Sequence, residues 1–224
     1  VATLRIAVIG LGYLGTTLVR ELADADAEVL AIDSDPDLVE QVRDIATIPV
    51  QMDSTDERAL RAQNLDKVDA VVVTIGHDFE SLIVTVQELL LMGVSRIYAR
   101  ATTPSHQRIL QRMGVTGVIS PEEDAGRRLA QRLMNPGLVD YLDVSGDYRI
   151  VEIECPPKFQ NKSIGALGLR RLYSINLVTL RRTGPNGEFT VVGVPTPDMV
   201  LSRQDMLVIL GRPKDIQRLI QQNQ

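Results

Sequence analysis

Apolar and polar positions change period repeatedly along the first half of the chain. Thr3 to Ile9 is a short apolar run that predicts a strand. From Tyr13 to Ala25 the apolar residues Leu14, Leu18, Val19 and Leu22 share one helical face. Strands follow at Glu28 to Asp33 and Ile48 to Gln51, with a helix beginning at Pro36 between them. Ser54 and Glu57 stand at capping-box spacing ahead of a helix running through Leu60 and Leu65. Ala70 to Ile75 is apolar almost throughout, as expected of a central parallel strand. Phe79, Leu82, Ile83, Val86, Leu89 and Leu90 then repeat at helical spacing. Arg96 to Arg100, a helix around Ile109 and Leu110, and Val118 to Ile119 continue the alternation. Ser120-Pro121 opens one more helix, with Ser suited to the cap and Pro to the first turn. Repeated strand–helix units of this kind predict a Rossmann-like, doubly wound parallel α/β sheet.

The pattern changes at Asn135-Pro136-Gly137, which divides the chain into residues 1–136 and 137–224. Shorter strands follow at Arg149 to Cys155, Asn176 to Arg182, Phe189 to Val194 and Met206 to Leu210. Gly184-Pro185-Asn186-Gly187 reads as a hairpin turn, since Asn-Gly readily takes positive φ. Pro213 opens a last helix through Ile216, Leu219 and Ile220. This is a second, smaller α+β lobe of roughly 80 residues, small enough that pairing with another copy is expected.

Gly10-Leu11-Gly12-Tyr13-Leu14-Gly15 is a G-x-G-x-x-G run directly after a strand and at the start of a helix. There Gly10 permits a tight turn, Gly12 lets the backbone approach a pyrophosphate, and Gly15 lets helix and strand pack closely. The free N–H groups of the helix terminus suit phosphate oxygens. Asp33, closing the second strand, stands where a carboxylate meets a ribose diol. Asp33 could also cap the helix at Pro36, a role open equally to Ser34 and Asp35. Ligands of such sheets sit at the carboxyl ends of the strands. That adds Ser34, Asp53, Ser54, Thr74, Ile75, Gly76, His77, Arg100 and Glu122 to the candidates. Each also has a plainer role: Ser54 as a cap, His77 as a solvated loop residue, Arg100 as an ion-pair partner. Glu122, Glu123 and Asp124 would likewise complement their own helix dipole.

Composition narrows the chemistry. Of 224 residues 44% are hydrophobic and 4% aromatic, with no Trp, so the core is aliphatic, which suits a parallel sheet covered by helices. A net charge of −5 argues against nucleic acid as a partner. The single Cys155, beside Pro156-Pro157, excludes an internal disulfide and reads as a buried structural thiol. No run reaches the roughly 20 apolar residues that span a bilayer, and the first residues do not read as a signal peptide. A cytoplasmic protein is expected. An NAD-dependent oxidoreductase is the competing reading, and a stand-alone nucleotide-binding module a third. Hydride transfer needs an acid–base group on a substrate domain, yet the two histidines, His77 and His106, both precede the second lobe. Arg170, Arg171, Arg181 and Arg182 of that lobe suit an interface or an anionic ligand better than catalysis.

Several segments together resemble the RCK family, regulators of K⁺ conductance, in particular the cytosolic regulatory subunits of Trk/Ktr-type bacterial potassium uptake systems. They are Ile9 to Gly15, Ala31-Ile32-Asp33, Met52-Asp53-Ser54-Thr55, Ala99-Arg100-Ala101 and Val118 to Glu122 with Gly126. In the second lobe they are Val151 to Glu154, Asn161-Lys162-Ser163-Ile164 and Leu207 to Gly211. The resemblance implies a nucleotide sensor without turnover. Its N-lobes would form dimers up to octameric rings on the inner face of a membrane-embedded cation channel or transporter. The ligand would be ATP/ADP or NAD(H). Asp33 would meet the ribose, Asp53 and Ser54 the adenine edge, and Arg100 the phosphates. Glu122 would hold Mg²⁺ or Ca²⁺ between subunits, and cyclic di-AMP binds the C-lobes of some relatives. Tyr13 stands where some ATP-responsive members carry arginine.

Overall fold

The structure is a computed structural model that describes residues 3–134, 138–143, 147–184 and 188–223. It forms two compact units, residues 1–123 and 124–224. This division falls within the sixth helix, whereas the change in composition comes after residue 136. Asn135-Pro136-Gly137 and the turn residues Pro185-Asn186-Gly187 lie outside the described residues.

The first unit alternates β1 (Arg5–Ile9), α1 (Tyr13–Asp24), β2 (Glu28–Asp33), α2 (Pro36–Gln41), β3 (Ile48–Gln51), α3 (Glu57–Ala62), β4 (Ala70–Val73), α4 (Phe79–Leu91), β5 (Ile97–Arg100), α5 (Pro104–Met113) and β6 (Gly117–Ile119). α6 (Pro121–Met134) follows. The strands run parallel in the order β3-β2-β1-β4-β5-β6, so the order reverses between β1 and β4. That reversal opens a crevice at the carboxyl edge, the usual ligand position in open α/β sheets. Pro49 sits in β3, an edge strand, where its missing N–H costs no ladder bond. α4 buries Leu82, Val86 and Leu89, each contributing roughly 1.5–3 kcal/mol of apolar burial. α5 starts at Thr103, whose side chain accepts the His106 N–H, and stops at Gly114, φ +89°.

One helix start differs from the sequence expectation. The Asp56 carboxylate caps α3 by accepting the Arg58 and Ala59 N–H groups, so Ser54 and Glu57 form no capping box. An ionised acceptor in cap position outcompetes a hydroxyl two residues earlier. α3 also ends at Ala62, leaving Leu65 in a separate 3-10 turn entered through Asn64 at φ +53°.

The second unit carries β7 (Leu138–Asp143), β8 (Arg149–Glu154), α7 (Ile164–Leu167), α8 (Leu169–Tyr173), β9 (Asn176–Thr183), β10 (Phe189–Val191), β11 (Asp205–Gly211) and α9 (Pro213–Asn223). Its antiparallel sheet has the order β10-β9-β11-β8-β7. Leu207, Ile209, Val151, Ile153 and Leu180 point to one side and pack with Ile175, Ile216 and Leu219. β7, α7 and α8 carry no clear sequence signal. The two helices are too short to display a 3.6-residue period. Arg181 and Arg182 each form an ion pair within the sheet. Arg181 pairs with Glu152 at 2.9 Å, and Arg182 clasps the fully buried Asp205 at 2.9 and 3.1 Å. Cross-strand neighbours in the register Arg182↔Asp205 impose that second pair.

Candidate functional site

The three glycines after β1 do different jobs. Gly10 holds φ +94°, which L side chains rarely adopt. A Cβ on Gly15 would run into the Gly10 carbonyl oxygen and approach Thr74 Oγ1 to 2.8 Å, so Gly15 lets α1 pack on the loop. Gly12 has neither constraint. Its φ is −62° and its ψ −173°, open to any residue, and an added Cβ would meet no atom within 4 Å. Nothing within the chain requires glycine there. The Thr74 hydroxyl, fixed at the end of β4, donates to the Ile9 and Gly10 carbonyls and ties the loop to the sheet.

At the end of β2, Asp33 Oδ2 accepts the Leu11 N–H at 2.6 Å and Oδ1 the Asp35 N–H at 2.9 Å. The cap of α2 is Asp35, which accepts the Asp37 N–H. Asp33 is thus not used as a cap, and each of its oxygens keeps a lone pair for an outside donor.

A cavity of about 380 Å³ opens between these loops. Gly10, Gly12, Asp33, Ser34, Asp53, Ser54, Thr74, Ile75, Gly76 and Arg100 all line it, as does His77. Tyr13, Leu14 and Gly15 do not: Tyr13 is 93% exposed and Gly15 lies buried behind the loop. Asp78 and Ser81 also line the cavity and were missed by sequence reasoning. Their Asp-x-x-Ser spacing marks the start of α4, where Asp78 accepts the Glu80 and Ser81 N–H groups, and a cap pattern says nothing about facing a cavity. Leu38 and Met52 supply apolar lining.

Ser54 is buried and shares a 2.8 Å hydrogen bond with the Thr85 hydroxyl of α4, so its side chain cross-links the loop to that helix. Asp53 accepts from the Thr55 N–H and hydroxyl, which together lower its pKa. Asp78 is lowered in the same way by Ser81. Asp33, Asp35, Asp53 and Asp78 line the same cavity, and among the described lining residues Arg100 is the one Lys or Arg. Its Nη2 donates to Glu122 Oε1, and this guanidinium lowers the Glu122 pKa. Arg100 lies over Gly76, where a Cβ would come within 2.9 Å of its Cζ.

A Gly-rich turn after β1, a carboxylate closing β2 that keeps acceptor capacity on both oxygens, and a cavity across the switch point fit a nucleotide: Gly12 leaves open the space a phosphate would fill. Glu122 carries the Arg100 guanidinium, and among the described residues of this one chain no three His, Cys, Asp or Glu gather into a metal site. No described helix is long and apolar enough to cross a membrane.

The fold is a Rossmann-like α/β domain with a cavity at the switch point of its parallel sheet, followed by a small antiparallel lobe. The chain belongs to the TrkA family: residues 6–121 match the TrkA-N domain and residues 148–222 the TrkA-C domain. It is 32% identical over 212 residues to the Ktr system potassium uptake protein C of Bacillus subtilis (strain 168), covering 95% of this chain and 94% of that protein. Its fold is similar to that of the GsuK channel bound to NAD, with TM-score 0.64 and 19% identity, over 96% of this chain and 38% of that one. The NAD(P)-binding domain of an exopolyphosphatase-related protein from Archaeoglobus fulgidus matches 58% of this chain and 96% of its own, at 27% identity and TM-score 0.50.

Proposed function

We propose that this chain is a nucleotide-sensing regulatory subunit that gates a membrane potassium channel or transporter from its cytoplasmic face. The observation that carries the reading is Gly12, a glycine with ordinary dihedrals and open space before it. A residue kept bare with no internal reason is explained by a ligand whose phosphates approach the backbone. The ligand is an adenine nucleotide, NAD(H) or ATP/ADP. Its pyrophosphate lies on the Gly10–Gly12 turn, its ribose hydroxyls on Asp33 and its adenine towards Asp53 and Met52. The potassium uptake name of the B. subtilis relative and the NAD-bound state of GsuK support this reading.

The chain works without turnover and as a homo-oligomer, a dimer or larger ring. A second cavity of about 380 Å³ in the C-lobe, lined by Arg170 and Arg171, suits a second anionic ligand, and cyclic di-AMP is the one the resemblance implies. To test the central claim, the purified protein is denatured and the released small molecules identified by mass spectrometry. Titration calorimetry follows with NAD, NADH, ADP and ATP. Potassium flux is then measured in vesicles holding the membrane subunit, with and without this chain and nucleotide. The reading requires micromolar binding of at least one nucleotide and nucleotide-dependent flux. Absence of binding at millimolar concentration refutes it, and consumption of NADH with a small-molecule substrate would favour the oxidoreductase instead.

A further inference from the structure

Resting on that nucleotide reading, we propose that His77 is a further binding residue of the same site: it meets the ligand's phosphates as an imidazolium, so nucleotide binding takes up a proton. The sequence alone suits a solvated loop residue at this position, and His77 is exposed, yet it lines the cavity. The connection that carries it is pinned at both ends. The Thr74 hydroxyl donates to the Ile9 and Gly10 carbonyls, and the Asp78 carboxylate accepts the Glu80 and Ser81 N–H groups that open α4. Gly10 itself lies against this connection, since a Cβ there would come within 3.0 Å of the Ile75 nitrogen. His77 therefore follows closely on the backbone that the phosphate turn touches.

Charge in the cavity favours the protonated ring. The charged groups lining it with His77 are Asp78 next in sequence, Asp53 after β3, Asp33 and Asp35 at the end of β2, and Arg100 at the end of β5, which pairs with Glu122 of α6. The imidazolium and the Asp78 carboxylate attract one another. Each phosphate of a bound nucleotide adds negative charge, which a proton on His77 offsets. The Asp53 and Asp78 carboxyls stay ionised near neutrality: hydrogen bonds from the Thr55 N–H and hydroxyl, and from the Ser81 hydroxyl and N–H, hold them below the ordinary Asp value. Imidazole is the side chain that changes charge between about pH 5 and 8. The other histidine, His106, does not line the cavity; its ring stacks on Phe79 with centroids 3.6 Å apart, and its Nδ1 lies 3.1 Å from the Thr102 hydroxyl. A bound phosphate favours the imidazolium, so binding tightens as pH falls, and the contribution vanishes once the ring is neutral. Solvent screening at an exposed ring limits the effect to about three- to tenfold.

The test is calorimetry with NAD, ADP and ATP from about pH 6 to about pH 8.5, on the native chain, His77→Gln, His77→Arg and His106→Gln. The ratio of native to variant affinity at each pH cancels the ligand's own titration. His77→Gln should match the native chain within about twofold at the alkaline end and bind about three- to tenfold more weakly at the acid end. His77→Arg should hold the tighter, acid-end affinity throughout, and His106→Gln should keep the native pH dependence. Titrations near neutral pH in buffers of different ionisation heat should show a larger proton uptake for the native chain than for His77→Gln. A ratio for His77→Gln that does not change with pH overturns the proposal: unaltered affinity means no contact, and uniformly weaker affinity means a neutral donor. A pH dependence that is lost in His106→Gln and kept in His77→Gln overturns it as well. Failure of the native chain to bind any of the three nucleotides at any pH instead removes the function reading itself, and this proposal with it.

Discussion

Replacing Gly12 by serine should strengthen the fold and destroy the site. Most glycine substitutions in a loop cost stability, but Gly12 has φ −62° and ψ −173°, and its Cβ would meet nothing within 4 Å. Restricting the unfolded chain at a compatible position gains about 0.4–1 kcal/mol. Gly12 is also the N-cap of α1 and provides no side-chain cap. A serine hydroxyl could accept an N–H of the first turn, adding a few tenths of a kcal/mol over glycine. Together these are about 1 kcal/mol, or 2–4 °C in Tm for a chain of this size. Binding responds in the opposite direction. The new side chain fills the space of the incoming phosphate and removes at least two hydrogen bonds to a charged group, each about 1.5–3 kcal/mol, so affinity falls at least 100-fold. The assay pairs thermal melts of nucleotide-stripped protein with calorimetry. Stripping matters because retained ligand raises the native Tm and would hide the gain. A Gly12→Ser protein that binds within threefold of native would show that no phosphate approaches Gly12. One that melts more than 2 °C lower would show that the chain itself needs glycine there.

Three further outcomes follow from other parts of the molecule. Asp33→Ala should weaken NAD binding by about 1.5–3 kcal/mol, and the native chain should bind NADP less well than NAD, since Asp33 repels a 2′-phosphate; equal affinity in calorimetry contradicts the ribose assignment. Arg182→Met should destabilise the C-lobe by about 3 kcal/mol in denaturant melts, because it strands the buried Asp205 carboxylate. Burial alone would raise the Asp205 pKa, but Arg182 and the Ser202 N–H outweigh it and hold it low; the stability this provides is therefore present above the ordinary Asp value of 3.8 and lost as pH falls below it, and the variant should show a smaller loss at acid pH. Cys155, pushed up to about 11 by burial and then by the Asp205 carboxylate, should resist thiol reagents at pH 8 until the lobe unfolds; rapid native labelling would refute its burial.

What the residues alone determine here is local and periodic. The strand–helix alternation to Ile119, the G-x-G-x-x-G turn and the acid closing β2 are all written in short windows, because side-chain period and turn chemistry depend on near neighbours. Gly10 and Gly15 carry the turn and close-packing roles that their spacing implies. Short windows mislead where two neighbours compete, as Asp56 outbids Ser54 for the α3 cap, and fall silent where an element is as brief as α7 or α8. Tertiary structure alone decides which residues meet. Asp33, Asp53, Asp78 and Arg100 come from four separate strand–helix connections, and the strand order makes them neighbours. Arg100 finds Glu122, Ser54 finds Thr85 and Arg182 finds Asp205 across 22, 31 and 23 residues of sequence. Each pair consumes a group that the sequence offered to a ligand. Such pairings are properties of how strands and helices pack, and a charge or hydroxyl in a sequence carries no mark of which partner the fold will bring to it.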